Sequence, residues 1–112
     1  EDLKPFIDGL KDAKAQLQDG TNWLMQNGMS DFNNAGAAST DYLNLFGLTA
    51  LAYMWAMMAK TAVEKRGQDP YYDDKLVTGR YFVSRILPET TAHLAKLKTG
   101  ADPLMALDAE RF

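Results

Sequence analysis

Cysteine is absent from this 112-residue chain. That removes disulfides, thiolate metal sites and a thiolate nucleophile together. Histidine occurs once, at His93, too little to anchor a typical zinc site without cysteine. No Gly-x-Gly-x-x-Gly or Walker pattern is present to cradle phosphates. Ser30, Ser39 and Ser84 stand outside any nucleophile-elbow context. The acidic group Asp69, Asp73 and Asp74 marks a helix N-terminus, where carboxylates offset the macrodipole, and lacks the ligand pattern of a calcium loop. Glu64 and Glu89 are lone carboxylates without a catalytic partner. Positive charge is also scarce. With 12 Lys and Arg against 15 Asp and Glu, the net charge is -3, which argues against nucleic acid as a partner. No basic segment followed by an apolar run and a small-residue cleavage site stands at the front. The chain opens on Glu1, as a processed protein or a segment of a longer one would.

What is present reads as helix throughout. A composition of 46% hydrophobic and 24% charged residues is globular, and the length suits one domain with one core, residues 1–112. Leu3, Leu10, Leu17 and Leu24 recur every seven residues, with Phe6 and Ala13 between them. This predicts a first helix from about Leu3 to Asn27, stopped by Gly28. Gly9 and Gly20 inside it are expected to mark close approaches. The stretch from Met29 to Ser39 holds Asn33, Asn34, Gly36 and Ser39 and predicts a loop, with some helix permitted by its alanines. A second helix is expected from Ser39, Thr40 or Asp41 to about Arg66. Asp69 and Pro70 frame the start of a third, with Tyr72, Leu76, Gly79, Val83 and Ile86 as its stripe. Pro88 should kink it, after which Thr91, Leu94 and Leu97 resume the pattern up to Gly100. Asp102-Pro103 opens a short helical turn, and the tail from Asp108 to Phe112 has no periodicity. The fold class is therefore all-α: an antiparallel up-down-up bundle of three long helices, the third kinked at Pro88, plus a short C-terminal helical turn.

The second helix is the unusual one. No charged residue lies between Asp41 and Lys60, a length that approaches a membrane span. Asn44, Gly47, Thr49 and a preference for Ala and Met favour a buried helix of a soluble domain instead. Two neighbours cannot cover an apolar surface that runs almost all round the axis. The excess lies among Phe46, Tyr53, Met54, Trp55, Met57 and Met58. Either the Gly36 loop and the C-terminal tail fold back over this patch, or it docks on another domain or subunit. A peripheral membrane role for Phe46, Trp55 and the methionines is weakened by the lack of an adjacent basic face. His93 is expected to be solvated, to cap, or to pair with Glu89 one turn away.

Three ordered segments carry a family resemblance. Ala38-Ser39-Thr40-Asp41-Tyr42-Leu43-Asn44-Leu45-Phe46-Gly47-Leu48, continuing through Tyr53-Met54-Trp55-Ala56 to Lys60, resembles the second helix of the C-terminal-like domain of long-form bacterial acyl-CoA dehydrogenases. Ile86-Leu87-Pro88-Glu89-Thr90-Thr91-Ala92-His93-Leu94 resembles its kinked third helix. Gly100-Ala101-Asp102-Pro103-Leu104-Met105-Ala106-Leu107, followed by Phe112, resembles its terminal segment. The first helix is similar in pattern only. The resemblance implies a parent enzyme that binds FAD and oxidises an acyl-CoA to the 2,3-enoyl-CoA in the cytoplasm, similar to methylmercaptopropionyl-CoA dehydrogenases. It places the flavin contacts and the catalytic glutamate upstream of this chain. It implies no catalytic, cofactor or metal residue here, and a domain that docks on the catalytic body or on a sister subunit, as in a dimer. Read from the residues alone, a free-standing helical adaptor with a hydrophobic groove for a partner helix stays open beside it.

Overall fold

The computed structural model describes residues 1–112. Three long helices form an all-α bundle, the third bent at a proline, and a short helical turn follows them. Helix α1 spans Lys4–Asn27 and α2 spans Phe32–Glu64. The third long helix consists of α3, Pro70–Tyr81, a π-helical turn at Phe82–Ile86, and α4, Glu89–Leu97.

In α1 the buried line is Phe6, Ala13 and Gly20. The heptad leucines Leu3, Leu10, Leu17 and Leu24 flank it half-buried. The small centre lets neighbouring helices come close. A Cβ on Gly20 would sit 3.2 Å from Leu45 Cδ2, and one on Gly9 would sit 3.0 Å from Leu87 Cδ2, so both expected close approaches are present.

The expected loop over 29–39 is mostly helix. Helix α2 begins at Phe32, capped by Asp31, whose carboxylate accepts from the Asn33 N–H at 2.9 Å. The residues taken for turn formers are satisfied otherwise. Ser39 donates to the Gly36 carbonyl at 2.9 Å. Asn34 donates to the Asn27 carbonyl at 3.2 Å and accepts from Ala101 N–H at 2.9 Å. Asn34 thus ties the start of α2 to the end of the bundle, a tertiary use that local propensity cannot show. Gly100 sits beside it with φ +70, a left-handed position that favours glycine.

Helix α3 starts as expected, with Asp69 accepting from Tyr71 N–H at 2.9 Å ahead of Pro70. The bend carries a correction. Leu87 N–H donates to Phe82 O at 2.9 Å, a five-residue step, and this wide turn relieves the crowding ahead of Pro88. The added residue rotates everything after it. Leu87 and Thr90 are buried, whereas Ile86 and Thr91, the expected stripe residues, face solvent. After α4, Leu104 and Met105 N–H both bond to Ala101 O, which forms the expected helical turn. A 3-10 turn at Ala109–Arg111 adds structure to a tail that shows no periodicity.

The core is small. Phe6, Ala59, Ala62 and Leu76 form one cluster and Ala13, Ala52, Phe82 and Leu87 a second, with Trp55 packed against both. Only 18 of 112 residues are buried. The extents of 65 × 28 × 15 Å describe a plank. Its radius of gyration of 18.1 Å exceeds the roughly 13 Å of a compact domain this long.

Candidate interaction surface

The two faces of α2 have opposite characters. The face toward α1 and the bent helix buries Ala38, Leu45, Thr49, Ala52, Ala59 and Ala62, mostly small residues. The outward face carries the large ones. Phe46, Tyr53, Met54 and Met57 are each 49–54% exposed, with Leu43 and Leu51 exposed beside them. Neither the Gly36 region, which is part of α2, nor the C-terminal segment covers them. Only 22% of the helix's most apolar 18-residue window is buried, and by length and composition alone α2 is long and apolar enough to cross a membrane.

Two of the six expected surface residues are only partly exposed. Trp55 is half-buried and stacks on Phe82, with centroids 6.2 Å apart and ring planes at 24°. Lys75 Nζ caps its other side, 5.3 Å from the ring. Met58 is half-buried. Met54, Met57 and Met58 line an open groove of about 340 Å³ with Tyr71, Tyr72 and Lys75. A second depression of about 510 Å³ lies over Gly47, between Leu43, Leu51 and Met54. A Cβ on Gly47 would meet nothing within 4 Å. Leu43, Gly47, Ala50 and Leu51 fall outside the six residues that the sequence assigns to the surface patch. Their signal was the Leu43, Gly47, Ala50, Met54, Met57 spacing of four, three, four and three residues, which lays them in one line along the helix.

The pairing of His93 is another correction. Its ring Nδ1 lies 2.9 Å from Asp41 Oδ1 on α2, not against Glu89. Lys96 Nζ reaches the same oxygen at 3.3 Å. Burial by itself would raise the Asp41 carboxyl, but hydrogen bonds from His93 and Lys96 outweigh it and hold the group below its ordinary value. The one charge of α2 ahead of Lys60 is therefore consumed in fastening α2 to α4. No group of three or more His, Asp or Glu side chains is placed to hold a metal. The cleft between α1 and the bent helix is lined by the carboxylates of Asp8 and Asp12, which would repel a diphosphate. This cleft therefore does not suit a flavin diphosphate.

A family model described as acetyl-CoA dehydrogenase C-terminal like matches residues 1–108. The chain belongs to this family. It is a C-terminal-like domain of acyl-CoA dehydrogenases, and the match runs through all three long helices to the turn after Gly100. No curated protein matches the chain.

Proposed function

We propose that this chain is the non-catalytic C-terminal domain of an FAD-dependent, cytoplasmic acyl-CoA dehydrogenase similar to the methylmercaptopropionyl-CoA dehydrogenases. In this reading the parent oxidises an acyl-CoA to its 2,3-enoyl-CoA on an upstream catalytic body. The present domain docks on that body or on a sister subunit through the outer face of α2. The single observation that carries the docking role is the bare line of Leu43, Phe46, Tyr53, Met54 and Met57 on α2. Burying one such side chain fully is worth roughly 1.5–3 kcal/mol, so several together favour association strongly. Family membership supports the enzyme class.

The test has two arms. The genomic sequence upstream of Glu1 is expected to encode a flavin-binding catalytic body, and its absence would favour a free-standing adaptor. The chain alone is expected to bind neither FAD nor an acyl-CoA and to show no dehydrogenase activity. Tight flavin binding by the chain, seen by fluorescence titration, would remove the reading.

A further inference from the structure

We infer that the outer face of α2 pairs with the same face of a second copy of this chain, in an antiparallel, two-fold symmetric helix pair centred on Ala50. The inference rests on the docking reading and names its partner: the sister domain.

The first argument is area. The chain exposes 7503 Å², whereas a self-contained monomer of 12.5 kDa exposes about 6,200 Å². The excess of about 1,300 Å² exceeds the roughly 800 Å² per partner that a stable complex covers.

The second argument is self-complementarity. A two-fold axis requires that if one residue meets another, the second meets the first. Leu43, Gly47, Ala50, Met54 and Met57 form a seam with heptad spacing. With the axis at Ala50, Tyr53 of each copy falls opposite the depression at Gly47 of the other, Met54 falls against Phe46, and Leu43 falls against Met57. Small residues at the centre let the backbones approach closely, and longer side chains close the two ends.

The third argument is charge. The seam carries none between Asp41 and Lys60, and Asp41 is turned inward against His93. In the antiparallel arrangement Lys60 falls opposite Thr40 and Glu64 opposite Gly36, so the axis brings no like charges together. A parallel pair would stack Lys60 on Lys60 and Glu64 on Glu64.

Sedimentation equilibrium on the 112-residue chain is expected to give about twice 12.5 kDa. Met54→Glu should weaken association by about 100-fold or more, because it desolvates a lone charge at the seam. Helicity should be unchanged, since Met54 is 49% exposed in the monomer. The chain has no cysteine, so Ala50→Cys provides a clean second readout. Mild oxidation should link it to its own copy, while Lys14→Cys on the wet side of α1 should stay unlinked. A monomer at all concentrations overturns the pairing, as does a dimer indifferent to Met54→Glu whose Ala50→Cys does not link. Uptake by phosphatidylcholine vesicles in place of dimerisation also overturns it. Any of these leaves the domain's assignment to an acyl-CoA dehydrogenase intact, because that assignment falls only to flavin binding or to the upstream sequence.

Discussion

The inner and outer faces of α2 show two different uses of apolar side chains. Inside, Ala38, Ala52, Ala59 and Ala62 are sealed because small side chains let three helices pack within a thin slab. Outside, larger residues stand in solvent. A domain built only for its own stability would place its Leu, Phe and Met inward and its Ala outward. The inversion is what the proposed docking of the outer face requires.

The largest test of this contrast substitutes the same residue type on each side of the slab. Phe6→Ala, which empties a side chain 1% exposed, should lower unfolding stability in urea by about 3–5 kcal/mol. Phe46→Ala should change the monomer by about 0.5 kcal/mol or less and act on association instead. Next comes the reverse exchange. Ala52→Leu, at a buried position, should cost about 1–3 kcal/mol through overpacking. Ala50→Leu, two residues away and exposed, should leave the monomer's melting temperature nearly unchanged. Equal effects at the two positions would erase the distinction between the faces.

The fastening at Asp41 comes third. Asp41→Asn should cost about 1–3 kcal/mol at neutral pH by weakening charge-assisted bonds to His93 and Lys96. The sign with pH follows from the lowered carboxyl. Its contribution is complete above the unfolded aspartate value of 3.8 and is lost as pH falls through the lower folded value. Stability curves of wild type and variant should therefore converge below about pH 4. A gap that stays constant into acid would exclude the carboxylate as its source. The smallest effect belongs to Arg66, which bonds Asp2 at 2.8 Å on the open surface. Arg66→Ala should lower the melting temperature only slightly, and less in high salt.

Most of the architecture was legible in the chain. The Asp69-Pro70 start, the stops at Gly28 and Gly100 and the proline bend follow from local chemistry, which the structure repeats. The misses share a cause. Asn34, His93 and Asp41 are bonded across 67 and 52 residues of sequence, and nothing local encodes such partners. The missed start of α2 at Phe32 belongs with them, since Asn33, Asn34, Gly36 and Ser39 resemble a loop until Ala101 and Asn27 supply their partners. The apolar excess of α2 was visible, but Trp55 was placed outside because its large ring suggested an interface. Phe82, buried at the end of α3, stacks on it and gives it a place against the core instead.

That turn at Phe82–Ile86 holds one residue more than an unbroken α-helix would need. Each residue advances a helix by about 100°, so α4 runs out of phase with α3 by that step. The two segments behave as gear teeth set at a fixed offset. Removing a single residue ahead of Pro88 would swing Thr90, His93 and Leu97 out of their places against α1 and α2 together. The same deletion in the exposed tail after Asp108, beyond the Asn34–Ala101 bond, would pass unnoticed by the bundle.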